Sequence, residues 1–265
     1  MDIVHALVLA LIQGITEFLP ISSSGHLILP KEVLGWPDQG LAFDVAVHVG
    51  TLSAVVLYFH KDLAALLKGG VQSLTGNFSD PYAHLAWMLV AATVPAGLAG
   101  LLFNDFIEAN LRSAAVIAAT TIIFALLLAY ADKKASFNKE LFDIGLKAAL
   151  IIGCAQALAL VPGTSRSGIT ITAALLLGFN RESAAKFSFF MSVPIIVLSG
   201  AFKGLELLDG HDVDWAAIAV GVVVSAISAY LCIHYFLSFI NRIGMMPFVW
   251  YRLALGAVLI AMMVF

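Results

Sequence analysis

QGITEFLPISSSGHLIL, residues 13–29, is the stretch that decides the fold, because polar residues stand here where an apolar helix should continue. The apolar leg before it, residues 3–12, is shorter than the roughly 20 residues that a helix needs to cross a bilayer. Pro20 disfavours a helical conformation at Leu19, and the serines that follow are strong N-cap residues. The stretch therefore predicts a helix, a polar loop and a second short helix that ends near Leu34.

The composition predicts that this break lies inside a membrane. Of the 265 residues, 61% are hydrophobic and 12% are charged, whereas ordinary soluble domains are roughly 45–50% apolar. An ionised side chain at bilayer depth costs ~3 to over 10 kcal/mol, depending on the reference state, and persists mainly where it lines a cavity or meets a partner. We therefore interpret this stretch as the working site of an integral membrane protein, for which nucleic acid is not an expected partner.

Apolar runs long enough to cross a membrane follow the first break, and a second break interrupts them at Pro162. Before the second break, the runs are residues 41–59, 83–103 and 114–131. The second broken element has an apolar leg at residues 148–161, then PGTSRSGIT, then apolar residues to position 177. After it, the runs are residues 184–201, 215–240 and 248–265. Each broken element is thus followed by three candidate membrane spans.

The two broken elements indicate an internal duplication. Setting Pro20 over Pro162 aligns Leu-Pro-Ile-Ser-Ser with Val-Pro-Gly-Thr-Ser, with repeat one at about residues 1–131 and repeat two at about 144–265. A unit with three crossings reverses the side of the chain, so the second copy is inverted relative to the first. The predicted fold is an all-α polytopic membrane protein, a single integral membrane domain over residues 1–265. It has two inverted-topology repeats, each a broken re-entrant helix pair plus three transmembrane helices.

Loop charges predict the orientation, because basic residues favour the cytoplasmic side. The predicted cytoplasmic loops carry Lys61 and Lys68, then Lys133, Lys134, Lys139 and Lys147, and finally Arg242 and Arg252, which flank the last short loop. The opposite loops are acidic, with Asp105 and Glu108 against Arg112 in one and Asp209, Asp212 and Asp214 in the other. This pattern places both termini outside the cytoplasm.

Gln13 and Glu17 stand four residues apart, so a helix presents them on one face, one turn before Pro20. Glu17 is a candidate ligand of a divalent cation, with Gln13 as a second oxygen donor, or a candidate proton acceptor. The alternative is that Glu17 only hydrogen-bonds backbone groups at the helix break.

The serine cluster before the second short helix predicts an anion site. Ser22, Ser23, Ser24 and Gly25 place hydroxyls and backbone N–H groups at a helix N-terminus, where phosphate binds readily. Capping needs only one serine, which leaves another as a candidate nucleophile, and His26 is near enough in sequence to act as base or as leaving-group acid. Direct attack by water is the alternative. The other histidines, His48 among them, have no such neighbours and are assigned structural roles.

Arg166 is the corresponding charged residue of the second element. Its guanidinium matches phosphate bidentately, and hydroxyls surround it in sequence at Thr164, Ser165, Ser167 and Thr170. One alternative is a buried ion pair with Glu17 across the two elements, which could also hold in the empty enzyme. For Thr164 and Thr170 the alternative is that their hydroxyls satisfy backbone groups freed by the break. Together the two elements indicate phosphate handling, with a lipid tail lodged among the spans.

The paired motifs QGITEFLPISSSGH and PGTSRSGIT resemble those of the bacterial undecaprenyl-diphosphate phosphatase family of the bacitracin-resistance type. The chain length, the segments FNDFIEA and FSFFMSVP, and the ending Met-Pro-Phe-Val-Trp-Tyr-Arg at residues 246–252 extend the resemblance over the whole chain. The family's first signature falls on Gln13 and Glu17, its Ser/Thr-Gly-His on residues 23–26, and its arginine motif on Arg166.

The resemblance implies hydrolysis of undecaprenyl diphosphate to the monophosphate carrier of cell-wall synthesis, with resistance to bacitracin. It implies stimulation by Mg²⁺ or Ca²⁺, a bacterial plasma-membrane location and a site open to the outer face. It favours Ser23 as the nucleophile. Our mechanistic hypothesis adds His26 as the proton-handling group, Arg166 as the phosphoryl clamp, and Glu17 holding a cation or orienting His26. Gln at position 13 leaves one carboxylate for the ion, so substrate phosphates would complete its ligands.

A lipid-phosphate transporter or flippase is the rival prediction, because inverted repeats with broken helices are transporter architecture. The Ser-Gly-His triplet at residues 24–26 discriminates between the two, since binding alone does not require it. The expected partners are the undecaprenyl diphosphate substrate and membrane lipids. A homodimer is left open.

Overall fold

The structure is a computed structural model that describes residues 2–206 and 214–264. Within these ranges the first half of the chain forms helices α1 Ile3–Thr16, α2 Ser23–Leu34, α3 Leu41–Tyr58, α4 His60–Ser73, α5 Pro81–Asn110 and α6 Ala114–Lys134. After a 3-10 turn at Leu141–Asp143, the second half forms α7 Leu146–Leu158, α8 Arg166–Leu176, α9 Arg181–Glu206, α10 Trp215–Ile243 and α11 Met246–Val264.

The prediction of an all-helical, polytopic membrane protein is confirmed for the described residues. In those ranges, six helices are long and apolar enough to cross a membrane: α3, α5, α6, α9, α10 and α11. They are the six spans expected from the sequence, although Phe265, the predicted end of the last span, lies outside the described residues. Many apolar side chains on these helices face outward, as lipid contact requires.

Both predicted breaks are present and share one local geometry. Ser22 caps α2 with a φ of 73°, and its side chain accepts a hydrogen bond from the N–H of Gly25. Ser165 caps α8 with a φ of 70° and accepts from Gly168. A serine at positive φ is a strained conformation that the surrounding structure must hold, and such residues cluster at functional sites.

These caps correct the alignment of the two copies by one residue. Ser22 corresponds to Ser165 rather than to Thr164, because the second copy has one more residue between its proline and its cap. Ser23 and Arg166 are therefore the first residues of α2 and α8.

Packing between helices also follows a paired pattern. Helix α1 packs on α10 as α7 packs on α5, and α3 packs on α10 as α9 packs on α5. Glycines permit these close approaches: a Cβ on Gly14 or Gly50 would collide with serine side chains of α10, and one on Gly153 would lie 2.9 Å from Ala92 Cα. The pairs α3–α9 and α6–α11 join the two halves.

One predicted loop is a helix. Residues 60–73, expected to be part of a loop, form α4, which buries Leu66, Gly69 and Ser73 and packs on α5. This helix is amphipathic rather than apolar all round, so the pattern of long apolar runs did not indicate it.

Several of the charges used for orientation lie elsewhere than predicted. Asp105 and Glu108 belong to α5, and Lys133 and Lys134 to the last turn of α6. Asp209 and Asp212 lie outside the described residues. The largest correction concerns Arg252, predicted to flank a loop: it lies within α11 and is 0% exposed, so it cannot act as a loop charge.

We expect Gly153→Ala to lower the unfolding temperature in detergent, because the added methyl would push α7 away from the α5 backbone at Ala92. Overpacking of this kind costs about 1–3 kcal/mol. Gly97→Ala is the matched control, since a Cβ there meets nothing within 4 Å and alanine favours a helix over glycine. Equal unfolding temperatures for the two variants would contradict the close approach of α5 and α7.

Candidate functional site

The two breaks meet at a cavity of about 190 Å³. We call residues 17–24 the first tip and residues 159–166 the second tip. The cavity is lined by Glu17, Ser22, Ser23, Ser24, Ala159, Ser165 and Arg166, all from the two tips, and by His48 of α3. The prediction that the two broken elements would come together is confirmed.

Hydrogen bonds fasten one tip to the other. Ser167 Oγ, just beyond the second tip, donates to the carbonyl oxygen of Leu19 at 2.8 Å. The N–H of Gly163 donates to Ser24 Oγ at 3.4 Å. The loops therefore satisfy part of their freed backbone through each other, as irregular backbone within a membrane protein must.

A buried ion pair closes the contact. Arg166 Nη2 donates to Glu17 Oε1 at 2.9 Å, and the two side chains are 14% and 9% exposed. Arg166 Nη1 donates to the carbonyl oxygen of Ser188 at 3.1 Å, and the guanidinium lies over the ring of Phe18. The pairing between Glu17 and Arg166, an alternative raised by the sequence, is thus present in the structure.

The second oxygen of Glu17 faces the serine cluster. Ser23 Oγ donates to Glu17 Oε2 at 2.9 Å, and Gln13 Nε2 donates to the same oxygen at 3.0 Å. A carboxylate that accepts a serine hydroxyl proton has the geometry of a general base and its nucleophile. Gln13 is fully buried, and its Oε1 has no hydrogen-bond partner within the described part of the chain.

His26 is held away from Ser23. Its Nδ1 lies 2.7 Å from the carbonyl oxygen of Ser22, and its Nε2 lies 2.7 Å from the hydroxyl of Tyr251. A carbonyl can only accept, so Nδ1 carries the proton and a neutral ring accepts at Nε2. Glu17 does not orient His26, as one sequence hypothesis had it, because its hydrogen bonds go to Gln13, Ser23 and Arg166.

Apart from Gly25, the predicted phosphate-binding residues fall into two groups, one that lines the cavity and one whose hydroxyls are buried. The first lines the cavity and consists of Ser22, Ser24 and Ser165. Gly25 lies at the cap of α2, where its N–H donates to Ser22.

The second group has its hydroxyls buried in the protein. Ser167 bonds Leu19, and Thr170 bonds the Arg166 carbonyl oxygen and the Ser188 hydroxyl. For Thr170 this satisfies a backbone group, the alternative considered above. Thr164 is 0% exposed, and its hydroxyl has no partner among the described residues. Their contact with phosphate stays a prediction.

Sequence reasoning missed three residues at the tips. His48 lines the cavity, with Nδ1 donating to the carbonyl oxygen of Asp44 at 2.7 Å, so Nε2 is the nitrogen left for other contacts. An ionisable residue within a predicted membrane span was the signal that could have identified it. Two further residues come from α11: Tyr251 contacts His26, more than 200 positions away in sequence, and Arg252 contacts the second tip, about 90 positions away.

Comparison with known proteins extends the local evidence to the whole chain. The family described as "Bacitracin resistance protein BacA" matches residues 6–258. A protein from Saccharophagus degradans named "Undecaprenyl-diphosphatase" is 66% identical over 265 residues, which is 100% of each chain. Relatives of the same name from Teredinibacter turnerae and Hahella chejuensis are 64% and 59% identical over 98% and 94% of each chain.

We expect Glu17→Gln and Arg166→Gln each to destabilise the protein more than the double variant Glu17→Gln/Arg166→Gln. Removing one partner of a buried ion pair leaves an uncompensated charge, which costs roughly 3–5 kcal/mol, whereas removing both leaves none. Unfolding in detergent, followed for the three variants and the wild type, measures this coupling. Strictly additive losses would show that the two charges do not sense each other.

Proposed function

The chain belongs to the bacitracin resistance protein BacA family, and we propose that it is an undecaprenyl-diphosphatase whose catalytic cavity lies between the two tips. The observation that carries the site assignment is the short line of contacts from Ser23 through Glu17 to Arg166 inside that cavity. Glu17 thereby contacts both a candidate nucleophile and a candidate phosphate-binding cation, an arrangement that suits phosphoryl transfer.

In the proposed reaction Ser23 Oγ attacks the terminal phosphorus of the lipid diphosphate. Its proton passes to Glu17, the acceptor already hydrogen-bonded to it. The bond to the bridging oxygen breaks, and undecaprenyl monophosphate leaves with the electron pair. Water then attacks the phosphorus of the phosphoserine, and the bond from phosphorus to Ser23 Oγ breaks as Glu17 returns its proton to that oxygen. Inorganic phosphate keeps the protons of the water as it is released, and Ser23 and the Glu17 carboxylate are regenerated. Direct attack by water would use the same base, and a trapped phosphoserine distinguishes the two routes.

The ion pair gives proton transfer a second consequence. When Glu17 takes the proton from Ser23 it becomes neutral, and its hold on Arg166 weakens. The guanidinium is then available to the phosphoryl group, whose charge is spread over three oxygens in the transition state. Ser165, at the N-terminus of α8 beside Arg166, adds a hydroxyl and a favourable helix dipole.

His26 has a supporting role in this proposal rather than the proton-handling role that the motif suggested. Both ring nitrogens are already occupied, by the Ser22 carbonyl oxygen and by Tyr251. The ring therefore fixes the carbonyl of the residue that caps α2 and precedes the nucleophile. Ser22 and Ser24 provide further hydroxyls for the phosphates.

A divalent cation, Mg²⁺ or Ca²⁺, fits this donor set in part. Oε1 of Gln13, which has no hydrogen-bond partner among the described residues, and the carboxylate of Glu17 are the hard oxygen ligands that such ions prefer. Among the described residues there is no group of three His, Cys, Asp or Glu side chains suited to hold a metal, so substrate phosphates would supply the remaining ligands. When bound, the ion would neutralise charge on the diphosphate.

For the architecture, we infer that the two halves are inverted repeats with re-entrant broken helices. The matched caps at Ser22 and Ser165, and the paired packing of α1 on α10 and α7 on α5, support this. The proposed location is the bacterial plasma membrane with the cavity open to the outer face. Lys61 and Lys68 remain among the charges that favour this orientation. A homodimer stays a prediction.

The test of function is release of inorganic phosphate by purified protein in detergent, given undecaprenyl diphosphate and Mg²⁺. Ser23→Ala should lower turnover by at least about 10³-fold while lipid binding persists, because the loss falls on the transition state. Ser53→Ala is the control: its exposed hydroxyl bonds only the carbonyl oxygen of Val49 among described residues. Lipid binding by the wild type without phosphate release would reject the phosphatase, and full activity of Ser23→Ala would reject the nucleophile.

The cation assignment predicts opposite effects at the two positions of one helical face. Glu17→Gln should lower turnover and weaken the dependence on Mg²⁺, whereas Gln13→Glu should be tolerated and shift the Mg²⁺ titration to lower concentration by adding a carboxylate. The measurement is phosphate release against Mg²⁺ concentration. If Glu17→Gln lowers turnover without moving the titration curve, Glu17 acts on the proton alone and is not a metal ligand.

A further inference from the structure

Helix α11 carries two adjacent side chains, Tyr251 and Arg252. Arg252 contacts the second tip directly, and Tyr251 contacts the first tip through His26. The hydroxyl of Tyr251 lies 2.7 Å from Nε2 of His26, and the two rings stack with centroids 5.4 Å apart and planes 7° apart. Arg252 Nη2 donates to the carbonyl oxygens of Gly163 at 2.9 Å and Thr164 at 3.0 Å. The chemistry proposed above uses neither side chain.

Arg252 is an unusual residue to bury. It is 0% exposed, it has no carboxylate partner among the described residues, and its Nη1 lacks a hydrogen bond within that part of the chain. A buried, unpaired guanidinium is costly, and an apolar side chain would fill the same space more cheaply. What an apolar side chain could not do is hold the carbonyl oxygens of the second tip.

Helix α6 completes the grip on the second tip. Thr120 Oγ1 donates to the carbonyl oxygen of Pro162 at 2.6 Å, and Thr121 Oγ1 donates to that of Gly163 at 3.3 Å. Arg252 Nε in turn donates to the Thr121 carbonyl oxygen at 3.2 Å. The backbone immediately before Arg166 is therefore fixed from α6 and α11 together.

The first tip is held through one relay. Tyr251 fixes His26, His26 Nδ1–H donates to the Ser22 carbonyl oxygen, and Ser22 has the positive φ of 73° that starts α2. Such a conformation persists only where neighbouring contacts hold it. Ser23, the next residue, owes its direction to this turn.

We propose that Tyr251 and Arg252 are positioning residues that together set the placement of Ser23 opposite Arg166. Because they are neighbours on one helix, a shift of α11 moves both tips, and the distance between nucleophile and clamp is set by a single element. The proposal rests on the proposed function. A misplacement of about 1 Å can cost a reaction of this kind ~10²-fold in rate.

Tyr251→Phe tests the first half, since it keeps the ring stack on His26 and removes only the hydroxyl. We expect kcat to fall about tenfold or more with KM within about twofold, because positioning acts on the transition state rather than on lipid binding. Tyr235→Phe is the matched control on α10, where the ring is 56% exposed. Equal kcat values for the two variants would overturn the role of Tyr251. A fall in kcat explained by a smaller folded fraction would make the role structural.

Gly168→Ala tests the second half without removing the guanidinium. An added Cβ would lie 2.8 Å from Arg252 Nη1 and 3.0 Å from Ser165 Oγ, so the guanidinium of Arg252 must move. We expect a fall in kcat of about tenfold or more against Gly97→Ala, whose Cβ meets nothing within 4 Å. Unchanged kcat would overturn the role of Arg252.

Arg252→Lys provides the coupling measurement, with the exposed Arg242→Lys as control. Lysine has no Nη1, so in Gly168→Ala/Arg252→Lys the two losses should not multiply. Losses that multiply would show that the alanine acts without Arg252 and would overturn this half. If Arg252→Lys does not fold, Arg252→Gln takes its place in the double variant, since glutamine also lacks Nη1, and losses that multiply would again overturn this half.

The wild-type assay separates failure of this inference from failure of the proposed function. Phosphate release by the wild type, with Tyr251→Phe and Gly168→Ala as active as their controls, would reject only the positioning role. Absence of phosphate release from the wild type would reject the function, and with it the positioning role that depends on it.

Discussion

The ion pair between Glu17 and Arg166 is the interaction on which the rest of the site depends. Each charge stands at a helix break inside an apolar protein, and neither could be buried alone without a large desolvation penalty. Meeting at 2.9 Å, they stabilise each other and draw the two tips together. Ser23, the caps and the cavity take their positions around that contact.

A site closed by its own ion pair also has a direct way to respond to substrate. In the proposed reaction, the phosphates of a lipid diphosphate would compete with Glu17 for Arg166, and proton transfer from Ser23 would weaken the pair further. Under that proposal, the favourable interaction between Glu17 and Arg166 would be exchanged for interactions with the phosphoryl group during the reaction. This favours interactions that are strongest in the transition state, which is the condition for a high turnover.

Much of this arrangement could be predicted because its causes are local. An apolar leg too short to span, a proline and a run of serines predicted the break at residues 17–22, and the same signals predicted the second break at Pro162. The pairing of the isolated acid with the isolated arginine was raised only as an alternative; it is explained by the cost of burying either charge alone. The predicted alignment of the two copies was wrong by one residue, because the position that corresponds in the two copies is the capping serine and not the proline.

What could not be predicted depends on contacts between distant parts of the chain. The sequence around Arg252 does not distinguish an arginine that flanks a loop from a buried one. The packing of α11 against α6 determines that it is buried. His48 needed the fold to bring α3 to the cavity. Helix α4 was not predicted for a different reason. It is amphipathic, and long apolar runs indicate only helices that are apolar all round.

The corrected register also explains why two similar tips make one asymmetric site. Ser22 and Ser165, then Gly25 and Gly168, are alike in the two copies and build the same cap. The residue between them that opens each helix differs: it is Ser23 in one copy and Arg166 in the other. Because the backbone is the same, these two side chains occupy equivalent places on facing tips and both line the cavity. If the two halves are repeats, as we propose, duplication accounts for the matched geometry, and divergence at one position accounts for the proposed nucleophile on one side and the arginine on the other.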